Sequence, residues 1–81
     1  MTVQVRLFAR ARDLAGTASL SIELPAGATV ADLRRFLAET HPALAALLPR
    51  CAIAVANDFA GDDRQLASSS EIALLPPVSG G

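Results

Sequence analysis

Val3, Val5 and Leu7 alternate with Gln4, Arg6 and Phe8. This period of two predicts a strand with one face on a core, and it puts Phe8 on the face that should be wet. The next segment, Ala9-Arg10-Ala11-Arg12-Asp13-Leu14-Ala15-Gly16, is too long for a two-residue hairpin. It ends in a glycine suited to a left-handed cap, so it predicts a helical turn. A second alternation sets Leu20, Ile22 and Leu24 against Ser19, Ser21 and Glu23, and the two runs form a β-hairpin with a decorated loop.

Pro25-Ala26-Gly27 is a turn signal, and Thr29 followed three residues later by Asp32 is a capping box with the shorter acid. A helix therefore begins at Val30. Val30, Leu33, Phe36 and Leu37 recur at helical spacing, with Asp32, Arg34, Arg35 and Glu39 on the other side. Pro42 disfavours a helical His41 and stops this helix. The same proline is placed to open a second short helix over residues 43–48, which Pro49 ends. Residues 52–56 read as a strand with Ile53 and Val55 inward, and 57–63 as a polar turn region carrying one aromatic, Phe59. Leu66 belongs to a short edge strand. Ser68-Ser69-Ser70 turns into a last strand whose Ile72 and Leu74 point inward and whose Ala73 and Leu75 point outward.

The order β-β-α-(short α)-β-(β)-β in a small chain predicts an α+β fold of the β-grasp type. Its mixed sheet has the first and last strands side by side at the centre and one main helix across one face. Residues 1–75 form that domain and 76–81 an extended, flexible tail. Phe8, Ala73 and Leu75 then share the open face beside the root of the tail, an apolar patch that reads as a docking site. Ordinary surface hydrophobicity is the alternative, because single exposed apolar residues are common.

The tail, Pro76-Pro77-Val78-Ser79-Gly80-Gly81, has a distinct physical character. The prolines lack N–H donors, so they end sheet pairing and hold the backbone extended. The glycines remove every Cβ from the terminus. Fully extended, residues 78–81 carry the end group roughly 13 Å beyond the prolines at about 3.3–3.6 Å per residue, far enough to enter another protein's active site. A reactive carboxylate and a frayed terminus both fit the tail taken alone.

Composition narrows the chemistry. In 81 residues, 52% are hydrophobic and three are Phe, enough for one efficient core. The net charge of −1 and seven arginines spread along the chain give no basic stripe, so neither nucleic acid nor an anionic membrane is an expected partner. No apolar run approaches the roughly 20 residues that span a bilayer, and the N-terminus lacks a secretory signal, so cytoplasmic residence is expected. Lysine is absent, which removes any internal ε-amine acceptor, Schiff-base nucleophile or P-loop lysine. The single Cys51 can form no internal disulfide, iron–sulfur cluster or structural zinc site, and reads as a small buried hydrophobe at the start of a strand rather than a sulfur-bearing thiol. His41 reads as a capping or surface residue. No bound cofactor and no metal are expected.

At its two ends the chain resembles the small subunit of molybdopterin synthase, a ubiquitin-like sulfur carrier family. The stretch from Leu7 to Gly16 is similar to the family pattern of Phe-Ala, two variable residues, Arg, an acidic residue, two more and Gly, carried here by Phe8, Ala9, Arg12, Asp13 and Gly16. The ending Pro76-Pro77-Val78-Ser79-Gly80-Gly81 matches the family terminus, and Ala54-Val55-Ala56-Asn57 resembles the strand entering its Asn-containing turn. Two departures are the Ser69-Ser70-Glu71 turn, where the family often has Gly-Asp-Glu, and the variation around Asn57.

The resemblance implies that Gly81 is the reacting residue and Gly80 its access. A separate E1-like adenylating enzyme, using ATP, makes an acyl-adenylate at Gly81, and sulfur then replaces the adenylate to leave a thiocarboxylate. The large synthase subunit, the partner in a heterotetramer, uses that sulfur to convert cyclic pyranopterin monophosphate into the molybdopterin dithiolene. On this view the chain is no enzyme by itself. Phe8, Arg12, Phe59, Ala73, Leu75, Pro76, Pro77, Val78 and Ser79 are its partner-binding residues, and Arg10 is a further candidate to pair with acidic groups. A ubiquitin-like modifier, a thiamine-type carrier and an inert β-grasp module remain as alternatives.

Overall fold

The computed structural model describes residues 1–77; Val78, Ser79, Gly80 and Gly81 of the tail lie outside the described residues. Strand β1 (Thr2–Leu7) leads into helix α1 (Ala9–Ala15) and returns as β2 (Ser19–Glu23). Helix α2 (Val30–Thr40) follows, then two 3-10 turns (Pro42–Leu44 and Leu48–Arg50), and finally β3 (Ala52–Val55), β4 (Asp58–Phe59) and β5 (Glu71–Leu75). The strands form one sheet in the order β2-β1-β5-β3-β4. β1 and β5 are parallel neighbours near its centre and the remaining pairs are antiparallel, the expected mixed β-grasp sheet.

The inward alternation holds along the strands except at Leu20, which packs only partly against the core. Val3, Val5, Leu7, Ile22, Ile53, Val55, Ile72 and Leu74 are buried in one cluster with Val30, Leu33 and Leu37 of α2. Burying each such aliphatic side chain contributes about 1.5–3 kcal/mol, so the aliphatic face of α2 holds the helix to the sheet; Phe36 only packs partly against the cluster. The predicted capping box closes α2 at its start: the Asp32 N–H donates to the Thr29 hydroxyl and the Thr29 N–H to the Asp32 carboxylate, at 3.3 and 2.9 Å.

The predicted turn after β1 is a full helix. It ends at Gly16, whose φ of 75° is the left-handed cap and whose N–H reaches the Arg12 carbonyl.

Three expectations are corrected. Residues 43–48 do not form a helix closed by Pro49; two 3-10 turns stand there, with Pro49 inside the second. Six residues between two prolines are too few to repay helix nucleation, and a first-turn proline costs nothing because that N–H has no partner in any case.

Leu66 is buried but lies in no edge strand. Gln65 makes one isolated bridge to Thr29, while the carbonyls of Asp62 and Arg64 accept the first free N–H groups of α2, from Ala31 and Val30, each at 3.0 Å. The segment serves the helix terminus instead of the sheet.

Residues 57–63 are not all turn. Ala56 and Asn57, with φ of 51° and 71°, make a two-residue hairpin of the primed kind, and Asp58–Phe59 form the true edge strand β4.

Candidate docking face and tail root

The face of the sheet turned away from α2 is built by register. Arg6 is the partner of Ala73, Ala73 of Ala54, and Ala54 of Phe59. Cross-strand partners share a face, so one row runs from β1 through the tail-bearing strand to the edge. Phe59 is 77% exposed. Ala54 is buried yet stands apart from the core cluster, a small side chain on the outer face with the larger Phe59 as one cross-strand partner.

One row further along, Leu75 pairs with Ala52. Leu7 pairs with Leu74 on the parallel strand, so Phe8 and Leu75 leave the sheet at the same end, as expected. Phe8 is the N-cap of α1 and 40% exposed, without a side-chain cap bond. Its carbonyl accepts the Ala11 N–H at 3.1 Å, and the chain bends sharply after it, with Ala9 at φ 51°. Leu75 and Ala73 are half-buried.

The structure therefore brings Phe59 into line with Ala73, while Phe8 and Leu75 flank the root of the tail. Two residues of this face carried no signal in the sequence. Arg6 alternates as any wet strand residue does, yet stands beside Ala73 in the apolar row. Ala54 reads as an unremarkable strand alanine, and only the β3–β4 pairing puts it under Phe59.

Arg12, in the last turn of α1, is exposed and forms no salt bridge among the described residues. Pro76 is half-buried and Pro77 exposed at the end of β5. Gly81, expected to be the reacting residue, its neighbour Gly80, and Val78 and Ser79 lie outside the described residues.

Cys51 is buried at the head of β3, its thiol donating to the Leu47 carbonyl at 3.4 Å. Burial pushes the thiol up, and the nearby Arg34 guanidinium opposes this more weakly. A protonated, buried sulfur is a poor nucleophile, which fits Cys51 as a small buried hydrophobe. His41 works through its backbone: its N–H bonds the Leu37 carbonyl that ends α2, and its own carbonyl accepts from Leu44, both at 2.8 Å. No group of three His, Cys, Asp or Glu residues could hold a metal ion among the described residues. No helix of the described residues is long and apolar enough to cross a membrane.

Arg34 was expected on the polar face of α2 and is instead only 22% exposed, a correction to that pattern. Its Nη1 donates to the carbonyls of Leu48 and Cys51 at 2.6 and 2.9 Å, and its Nε to Asp62 at 2.9 Å. One guanidinium fork thus ties α2 to the turn that starts β3 and to the segment capping its own first turn.

Comparison with known proteins covers the whole chain. The profile of the ThiS family matches residues 5–81. The molybdopterin synthase sulfur carrier subunit of Chlamydomonas reinhardtii is 34% identical over 83 residues, covering 100% of each chain. Its counterpart from Caenorhabditis briggsae is 36% identical over 83 residues, covering 100% of this chain and 99% of its own. Among solved structures, small archaeal modifier protein 1 of Haloferax volcanii superposes with a TM-score of 0.88 at 28% identity, covering 100% of both chains. A complex of subunits 1 and 2 of the molybdopterin-converting factor from Helicobacter pylori matches at a TM-score of 0.72 and 29% identity, again over 100% of both chains.

Proposed function

The chain belongs to the ThiS family and aligns end to end with molybdopterin synthase sulfur carrier subunits, and on that basis we propose that it is the sulfur carrier of a molybdopterin synthase, with Gly81 as the carrying residue. The observation that carries this reading is the end-to-end match, which includes a Gly-Gly terminus on a Pro-Pro root at the end of a strand paired on both sides.

The chemistry follows from the terminus. A terminal carboxyl group has a pKa of about 3.3–3.7, so it is a carboxylate at neutral pH and a poor electrophile. An E1-like adenylating enzyme supplies the activation: a carboxylate oxygen of Gly81 bonds to the α-phosphorus of ATP and pyrophosphate leaves. A sulfur nucleophile then displaces AMP from the acyl carbon to give the thiocarboxylate. In the large subunit this sulfur passes to cyclic pyranopterin monophosphate, water cleaves the acyl–sulfur bond to return Gly81 to a carboxylate, and two such transfers build the dithiolene. The chain has no lysine and no Gly-rich phosphate loop, so ATP binding and the catalytic groups fall to the partners. Its own contribution is presentation: two glycines pass a narrow channel and leave the acyl carbon open, while the face bearing Phe8, Phe59, Ala73 and Leu75, and Arg12 near it, docks the enzymes that act on the tail. The resemblance to the Haloferax volcanii modifier supports a second reading, conjugation through Gly81 to lysines of other proteins.

Intact mass measurement after incubation with ATP, a sulfur source and the adenylating enzyme of the same cell separates these readings. A gain equal to one oxygen-to-sulfur exchange is expected. Covalent adducts of Gly81 with many proteins favour the modifier, and an unchanged mass leaves an inert module.

A further inference from the structure

Beside the tail root lies a groove of about 1050 Å³ that the sheet-face patch does not share: none of Phe8, Phe59, Ala73 and Leu75 lines it. One wall is α1, which presents Arg10, Asp13 and Leu14; the other is the 3-10 segment, with Leu47 and Arg50; Pro77 borders it at the tail. Space on this scale suits a stretch of peptide better than an ion or a water. The groove is apolar in part, and Leu14, 38% exposed, is one of three exposed large hydrophobic residues among those described.

Its charge is opposite to that of the chain. Arg10 and Arg50 against Asp13 leave one net positive charge (two minus one), whereas the whole chain carries −1. Neither arginine makes a salt bridge or a side-chain hydrogen bond among the described residues, unlike Arg34 and Arg35 of α2. An apolar occupant alone would strip water from two guanidinium groups without pairing them, which is costly; an acidic one satisfies both. Pro76 and Pro77 both line the groove and lead to Gly81, so a protein that takes up the tail passes over it.

We propose that this groove docks an acidic, extended segment of the large synthase subunit, a contact separate from the sheet face and resting on the carrier reading above. The two arginines pair with carboxylates of that segment, and Leu14 and Leu47 receive its apolar side chains. Charged pairs at the edge of an interface act on encounter and register, so the groove orients the tail as it enters.

The test is titration calorimetry of the full chain with its large subunit at low and high salt. For Arg10→Glu/Arg50→Glu, binding weakens by about tenfold or more and loses most of its salt dependence, while thermal melting stays native. Should the double reversal fail to fold, Arg10→Gln/Arg50→Gln gives the same direction with a smaller change. Unchanged affinity for either variant, alongside weakened binding of Leu75→Asp, overturns the groove and leaves the carrier reading standing. No binding of the wild-type chain to the large subunit overturns the carrier reading itself, and the groove with it. Amide spectra of the free chain with and without residues 78–81, and across a concentration series, exclude other occupants: shifts confined to Leu14 and Leu47 in either comparison assign the groove to the chain's own tail or to a second copy and overturn the proposal.

Discussion

Phe59 on β4 is the register partner of Ala54 on β3, and the pair is opposite in exposure: the ring is 77% exposed and the alanine 9%. Because Ala54 is in turn the partner of Ala73 on the tail-bearing strand, an edge strand of two residues places an aromatic ring two strands away from the strand that ends at the tail. Exposed aromatic side chains of this kind are favoured interface anchors.

Phe59→Asp and Phe8→Asp should therefore weaken binding to the large subunit by about tenfold or more with stability changed by no more than about 0.5 kcal/mol, since both side chains are exposed. Leu75→Asp, half-buried and paired with Ala52, should lose affinity and some stability together. Calorimetric titration with parallel thermal melts measures both quantities; unaltered affinity in all three variants would remove the docking role of this face.

Arg34→Leu leaves the carbonyls of Leu48 and Cys51 and the Asp62 carboxylate without their donor. The expected loss is about 2 kcal/mol, read from urea unfolding, with a melting point lower by about 4–8 °C for each kcal/mol in a domain of this size. Arg34→Lys should restore less than half of it, because a point charge cannot span three acceptors.

The Thr29 N–H is the main influence holding the Asp32 carboxyl below its ordinary 3.8, with the Thr29 hydroxyl and Arg35 adding to it and partial desolvation opposing. A lowered folded value means that the carboxylate stabilises the fold above about pH 3.8 and that this contribution is lost as pH falls through the folded value. Melting temperatures across an acid titration should fall less steeply below about pH 4 in Asp32→Asn than in wild type, and Thr29→Ala should cost about 1 kcal/mol at neutral pH.

Cys51 should resist iodoacetamide at pH 8 in the folded chain and react once unfolded, as its raised pKa and burial require. With the thiol raised, its contribution to stability is complete below the ordinary 9.0 and is lost as pH rises through the folded value. Cys51→Ala should acquire the oxygen-to-sulfur mass gain as wild type does. Failure to load, with the fold intact, would bring the cysteine into the chemistry.

The strands β1, β2, β3 and β5 and the start and end of α2 were legible because each is announced by neighbours in the chain: a period of two, a Thr29–Asp32 box, a proline after His41. The 42–50 segment misled because Leu44 and Leu48, four apart, imitate a helix while the prolines beside them prevent one. Residues 57–66 misled because their hydrogen bonds go to distant groups, to β3 and to the N-terminus of α2, which no local pattern announces.

Local sequence by itself therefore determined most of the elements, most of the inward faces and a Gly-Gly sequence behind a Pro-Pro root, since all of these depend on backbone propensities and side-chain alternation within a few residues. The tertiary structure alone decided that Phe59 lines up with Ala73, that Arg34 reaches across to two carbonyls, and that Arg10 and Arg50, forty residues apart by number (50 minus 10), flank one groove beside Pro77. Those relationships exist only once β1 and β5 pair and α1 meets the 42–50 segment, because they join groups whose separation along the chain is set by the closure of the whole sheet.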